Sequence, residues 1–210
     1  MSAEKLLKLI SDEDAEYVDI RFTDPRGKLQ HVTVMSDQVD ADFIEEGFMF
    51  DGSSIAGWKS IEASDMKLMM DTDSGYVDPF YAEKTICVHC YVVEPDTGEA
   101  YNRDPRGTAM KAEAYLKSSG IGDTFFVGPE AEFFLFDDVR FSNSMNKVSF
   151  EVDALDASWN TDTEYEIGNT GHRPGVKGGY FPVNPTDDGQ DIRSEMLSTM
   201  KRLGMSVDKH

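Results

Sequence analysis

Two carboxylates stand two residues apart inside an apolar run, Gly128-Pro129-Glu130-Ala131-Glu132-Phe133-Phe134-Leu135-Phe136. On a strand, Glu130 and Glu132 would point to one face, roughly 6–7 Å apart. Flanked by Phe125-Phe126-Val127 and Phe133-Phe134, such carboxylates are costly to bury unless something neutralises them. Mg2+ or Mn2+ would do so, because hard divalent ions prefer carboxylate oxygen. A strand with one solvated face accounts for the same pattern, its glutamates simply meeting water. The local spacing leaves both readings open, and any further metal ligands must come from elsewhere in the chain.

A second candidate is Asp51-Gly52-Ser53-Ser54. An aspartate on a glycine-containing loop beside two hydroxyls can hold a small cation or accept a proton. The same residue types also cap turns and helices, which is the commoner use of such an aspartate. A third is Asn169-Thr170-Gly171-His172-Arg173-Pro174-Gly175-Val176-Lys177-Gly178-Gly179-Tyr180. Its glycines permit close backbone approach to a ligand. Arg173 and Lys177 are cations suited to phosphate in an otherwise acidic chain. The run lacks the Gly-Lys-Ser/Thr ending of a P-loop, and an ordered surface loop would also fit it. Cys87-Val88-His89-Cys90 is set aside as a metal site. It sits in a strand-like run that puts its thiols on opposite faces, and the chain has no second cysteine pair.

The elements that must position these residues follow from periodicity. A helix is expected over residues 2–11, capped by Ser2, with Leu6, Leu7 and Ile10 on one face. Strands at 17–22 and 29–35 flank the turn Asp24-Pro25-Arg26-Gly27. A short helix over 40–46 ends at Gly47, and a loop spans 50–58. Strands at 66–70 and 85–93 complete a small mixed sheet, with Met66, Leu68, Met69 and Met70 as core. Asp104-Pro105 opens a helix that runs to about residue 118. The domain boundary is expected here, giving 1–104 and 105–210. Beyond it the pattern predicts a strand over 125–136, an irregular excursion over 143–171, a helix over 190–203 and a strand starting at 205. That second set is thin for covering a sheet, so the sequence is expected to be a fragment or to be completed by strands from elsewhere.

Composition bounds the class. The chain has 210 residues, with Lys plus Arg at 20 against Asp plus Glu at 40, for a net charge of −20. Such a chain is repelled by nucleic acid and by anionic membranes. Hydrophobic residues at 40% support a real core. Two cysteines are too few for a disulfide scaffold. No apolar run is long enough for a signal peptide core or a membrane span. A soluble cytoplasmic protein is expected.

Three of these segments resemble class I bacterial glutamine synthetase: Phe50-Asp51-Gly52-Ser53-Ser54-Ile55, Gly128-Pro129-Glu130-Ala131-Glu132-Phe133-Phe134, and Gly171-His172-Arg173-Pro174-Gly175-Val176-Lys177-Gly178-Gly179-Tyr180. Motif order and spacing are kept over essentially all 210 residues. The resemblance implies an α+β protein, with an N-terminal β-grasp domain and the first part of a catalytic domain made of an antiparallel sheet with helices. It implies an ATP-dependent ligase that joins ammonia to L-glutamate through a γ-glutamyl phosphate. Two Mg2+ or Mn2+ ions would serve each site, with Glu130 and Glu132 as ligands, one to each metal. Asp51 would take a proton from ammonium in the site of a neighbouring subunit. Ser54 and Tyr180 would form part of the ammonium pocket. Asp208 aligns with a nucleotide-contacting Glu and carries one methylene fewer. Ala131 stands where the family usually has Pro. Self-association into a double hexameric ring is implied as well. Family residues that follow His210 lie outside this sequence, so the chain alone is expected to be inactive. Two other readings stand beside this one: a γ-glutamyl ligase that uses an amine or polyamine, and a non-catalytic acidic metal-binding module.

Overall fold

A computed structural model of the chain describes residues 3–155, 157, 159, 166 and 173–210. The chain divides into two compact units, Met1–Val127 and Gly128–His210.

The first unit opens with helix α1 (Glu4–Asp12), which buries Leu6 and leaves Lys5 and Lys8 in solvent. Ser2, the expected cap, lies outside the described residues. Ala3 occupies the cap position and makes no side-chain bond. Strands β1 (Tyr17–Thr23) and β2 (Leu29–Met35) form an antiparallel hairpin from Tyr17↔Met35 to Thr23↔Leu29. The hairpin closes because Asp24 Oδ1 accepts the Arg26 and Lys28 amides, each at 2.9 Å.

Helix α2 (Ala41–Glu46) starts where the Asp40 carboxylate accepts the Phe43 amide at 2.8 Å. It stops at Gly47, which has φ +78°, and a Cβ there would meet Leu68 O at 2.7 Å. Strand β3 (Phe48–Asp51) follows, then β4 (Asp65–Met70), β5 (Tyr76–Val77) and β6 (Thr85–Val93). The sheet order is β2-β1-β6-β4-β3, with β5 also paired to β6. β1 and β6 run parallel, and the other pairs are antiparallel. A mixed sheet was expected. The two-residue β5 was not, being too short for periodicity to reveal.

One face of this sheet carries the core. Val18, Ile20, Phe22, Met66, Leu68, Ile86, Val88 and Val92 pack in one cluster with Leu6 and Ile44. Met66, Leu68 and Met70 are buried as expected, while Met69 is half-buried. The opposite face of β1 is covered too. Asp19, with no exposed surface, accepts bonds from Arg21 Nε at 2.7 Å and Thr33 Oγ1 at 2.6 Å and pairs with His31 Nδ1 at 2.6 Å. Arg21 also reaches Asp78 Oδ2 at 2.9 Å. Burial alone would raise the Asp19 pKa, but bonds from Thr33, His31 and Arg21 hold it below the usual carboxylate range. Cys87 lies on this side and Cys90 in the core; burial pushes the Cys87 thiol up to about 12.

Helix α3 (Pro105–Ser119) begins at a buried cap. Asp104 Oδ2 accepts the Gly107 amide at 2.9 Å and the Val92 amide at 3.1 Å, so one carboxylate ties the helix start to β6. Gly120 ends the helix in the left-handed region, at φ +70°.

Beyond α3 the chain departs from expectation in three places. Residues 125–136, expected to form a strand, make no strand among the described residues. Phe126 is 90% exposed and Phe134 85% exposed. Period-two alternation survives only locally, where the Phe134 and Phe136 rings stack at 6.0 Å. An extended segment becomes a strand only when a neighbour accepts its backbone bonds. Second, the start of the expected irregular excursion is a hairpin of β7 (Asp138–Ser144) and β8 (Lys147–Asp153), paired from Asp138↔Asp153 to Ser144↔Lys147. Its Asn and Ser residues obscured an alternation that Phe141, Val148, Phe150 and Val152 do carry. Third, residues 205–210 form no strand; the His210 ring instead meets Arg193 Nε at 3.1 Å and Ser194 Oγ at 3.0 Å. Helix α4 (Gln190–Arg202) is present as expected. Among the described residues, no helix is long and apolar enough to cross a membrane.

Candidate functional site

Asp51 is the last residue of β3, opposite Asp65 on β4. Phe48 and Phe50 turn inward and Met49 and Asp51 turn outward, so strand alternation presents the Asp51 carboxylate to solvent. The chain then tightens into a 3-10 turn, Gly52–Ser54, with Asp51 as its cap. Asp51 Oδ1 accepts two bonds from one residue, the Ser53 amide at 2.9 Å and the Ser53 hydroxyl at 2.6 Å. The Ser54 hydroxyl approaches Oδ2 at a long 3.4 Å. The Ser53 hydroxyl, with its amide next, holds the Asp51 carboxyl below the usual carboxylate range. Asp51 is therefore an exposed anion with one oxygen firmly held.

The turn sits on a rigid base. The Gly52 amide donates to Ser64 O at 2.7 Å, and a Cβ at Gly52 would run into Met66. Only glycine permits this close crossing over β4. Trp58 closes the loop from below, with ring centroids 5.5 Å from Phe22, 5.9 Å from Phe50 and 5.6 Å from Tyr101. Arg103 donates to the carbonyls of Gly57 and Trp58 and pins the loop's far end. The capping use expected of Asp51 is realised, and the same side chain presents a negative charge outward. Ser53, which holds that charge, carried no role in the sequence reading. The Asp-x-Ser spacing of an Asx turn was the signal that could have found it.

The other candidate residues lie in the second unit. Glu130 and Glu132 are exposed in the unpaired 124–136 segment, so the apolar burial that would demand a neutralising cation is not realised around them. Their carboxylates are still hard oxygen donors two residues apart. Among the described residues, no group of three or more His, Cys, Asp or Glu could hold a metal ion. Glu130 and Glu132 therefore fit a divalent ion in donor chemistry but supply only part of a ligand set.

Tyr180 is exposed and packs edge-on against Phe181 at 5.0 Å. Before it lies a tight turn, in which the Gly178 amide donates to Gly175 O at 2.8 Å and Lys177 takes a left-handed φ of 59°. Arg173 Nη1 donates to Ala157 O at 3.0 Å. Asn169, Thr170, Gly171 and His172 of the same run lie outside the described residues. Asp208 is exposed near the end of the chain. Asp51 and Ser54 are thus brought together by one turn. The second-unit candidates stand on separate stretches of that unit.

Comparison with known proteins bears on this arrangement. Residues 14–95 match the family described as glutamine synthetase, β-grasp domain, and residues 102–210 match glutamine synthetase, catalytic domain. A glutamine synthetase of Cereibacter sphaeroides is 73% identical over 204 residues, covering 97% of this chain and 44% of that protein. One from Escherichia coli strain K12 is 53% identical over 210 residues, covering 100% of this chain and 45% of that protein. The cryo-EM structure of Plasmodium falciparum glutamine synthetase superposes with a TM-score of 0.84 at 21% identity, over 100% of this chain and 41% of that one. That last likeness concerns the fold. The chain spans about half the length of the curated relatives it matches.

Proposed function

This chain belongs to the glutamine synthetase family, and on that premise we propose that the full-length protein joins ammonia to L-glutamate at the expense of ATP. The fold is a β-grasp N-terminal domain followed by part of the family's catalytic domain. We place the division at residues 104 and 105, where Asp104 caps α3, a few residues past the gap between the family matches that end at 95 and begin at 102.

In the proposed reaction the γ-carboxylate of glutamate takes the terminal phosphoryl group of ATP. Ammonia then attacks the acyl carbon, a C–N bond forms, and phosphate leaves. Two bound Mg2+ or Mn2+ ions would neutralise phosphate charge during this transfer. Glu130 and Glu132 would each give a carboxylate oxygen to one ion, with the remaining donors supplied by other parts of the protein.

Asp51 would bind ammonium and take its proton, in the active site of a neighbouring subunit of a double hexameric ring. The observation that carries this role is the exposed Asp51 carboxylate, ionised at neutral pH and fixed by Ser53. A carboxylate with a depressed pKa is suited first to holding a cation. It becomes the proton acceptor when ammonium gives up one proton, which frees the nitrogen lone pair that then attacks the acyl carbon. Ser54 and Tyr180 would complete the ammonium pocket, and Asp208 would meet the nucleotide. Cytoplasmic placement agrees with the two reduced, buried cysteines.

The test is phosphate release by the full-length protein, dependent on ATP, glutamate and ammonium together. Asp51→Asn is expected to lower ammonium-dependent turnover by at least about 100-fold, a typical loss for an acid–base group. Turnover with an amine or polyamine but not with ammonium would replace the ammonium assignment. Divalent-ion binding without any turnover would reduce the protein to a metal-binding module. The 210-residue chain alone is expected to show no turnover.

A further inference from the structure

Asp51 has two carboxylate oxygens in unlike settings. Oδ1 accepts the Ser53 hydroxyl at 2.6 Å and the Ser53 amide at 2.9 Å, whereas the Ser54 hydroxyl lies 3.4 Å from Oδ2. A carboxylate rotates about its Cβ–Cγ bond unless a second bond stops it, and this torsion has broad, shallow preferences. The Ser53 amide alone would hold one oxygen but leave the tilt of the group loose. The hydroxyl adds a short bond from a second direction on the same residue. Ser53 is half-buried, and its backbone is fixed within the 3-10 turn that Gly52 anchors to Ser64.

We infer that Ser53 is a positioning residue for the proposed ligase reaction, its hydroxyl locking Oδ1 of Asp51 so that Oδ2 is presented to the ammonium ion. This rests on the reading of Asp51 given above. Ser53 itself touches neither substrate nor ammonia. It sets the angle at which the carboxylate meets the cation, and small errors in such angles are costly for a reacting pair. Ser53 and Ser54 therefore divide the work of this turn, one holding the acceptor and the other facing outward.

The experiment uses the full-length, assembled protein and compares Ser53→Ala, Ser53→Thr and Asp51→Asn. Ser53→Ala is expected to raise the KM for ammonium roughly tenfold, the scale of losing one hydrogen bond to a charged group. The KM values for ATP and glutamate should stay within about twofold, because those ligands do not depend on the carboxylate angle. Ser53→Thr keeps the hydroxyl and should restore the ammonium KM to within about threefold of the parent. An unchanged ammonium KM in Ser53→Ala overturns the inference. So does a joint rise of all three KM values with a lowered Tm that Thr fails to rescue, since that is the signature of a purely structural serine. Asp51→Asn separates the two levels of argument. If it abolishes turnover while Ser53→Ala is silent, only the positioning role fails. If Asp51→Asn is itself silent, the assignment of Asp51 falls and the Ser53 role with it.

Discussion

In β1, Val18, Ile20 and Phe22 are buried in one cluster with Leu6 of α1, and the intervening Asp19 and Arg21 are enclosed as well. In the β7–β8 hairpin, Phe141, Val148 and Phe150 follow the same period-two pattern and remain exposed. The residue types are comparable, and what differs is the number of neighbours. β1 sits between β2 and β6, with helices over one face of its sheet, while β7 and β8 have only each other among the described residues. An isolated two-stranded ribbon has little apolar surface to bury against, whereas a larger sheet covered by a helix does. Alternation in a sequence thus states which side chains could share a face. Whether that face is dry depends on what else is present to cover it.

The sharpest way to break this contrast is to disturb the enclosed charges of the first unit. Arg21→Ala leaves Asp19, which has no exposed side-chain surface, without its guanidinium partner. Removing one member of a buried pair costs about 3–5 kcal/mol. Urea unfolding of the chain should show a loss of that size. A loss below about 1 kcal/mol would mean that this face of β1 is wetter than its burial states.

Next in size is a matched pair of apolar truncations. Ile86→Ala removes a fully buried side chain from the core and should cost about 2–5 kcal/mol. Phe141→Ala removes a larger side chain that is 80% exposed and should stay within about 0.5 kcal/mol. Similar losses at both sites would erase the distinction between the two units.

How much of this was legible follows from the same physics. The β1–β2 hairpin, α2, β4, β6, α3 and α4 were readable because each carries its own signal, such as the Asp24-to-Gly27 turn, the Gly47 stop or the Asp104-Pro105 start. The parallel pairing of β1 with β6 was not, since it joins residues 17–21 to residues 85–89 and nothing local announces it. Periodicity marks a strand over residues 17–22. That Asp19 is bonded to His31, Thr33 and Arg21 required knowing which strands lie alongside. The same gap explains residues 125–136, where the strand signal is strong and the partner is missing among the described residues. At the candidate site, Asp51 and Ser54 were found by motif. Ser53 was passed over because its part is played toward Asp51 and is visible only once the turn has closed.

Acid should separate the units as well. Asp19 is more acidic folded than unfolded, so its contribution to stability is fully present above the ordinary carboxylate pKa of about 3.9. It is lost as pH falls below that value and through the lower folded one. Stability measured by denaturant at stepped pH should therefore fall as pH drops below about 4. In Asp19→Asn that share of the fall should be gone. An unchanged slope in Asp19→Asn would assign the acid sensitivity to other carboxylates.

The smallest effect tests whether burial, rather than ion pairing as such, makes the difference. In the second unit Arg193 grips Asp187 through Nη1 at 3.1 Å and Nη2 at 2.5 Å, at the start of α4. The bond from Arg193 holds the Asp187 carboxyl below its usual range, the same direction as at Asp19. Yet the Arg193 side chain is 35% exposed, against 13% for Arg21. Water can replace much of what the Asp187 pair supplies, and partly exposed pairs contribute about 0–1 kcal/mol. Asp187→Asn should thus change the helix signal of the chain only slightly at neutral pH. Because Asp187 is also more acidic folded, even that change should fade as pH drops below the ordinary carboxylate value of about 3.9 and through the lower folded one. A loss at Asp187 as large as the one at Arg21 would show that pairing geometry outweighs burial, and the contrast between the two units would have to be rebuilt on that footing.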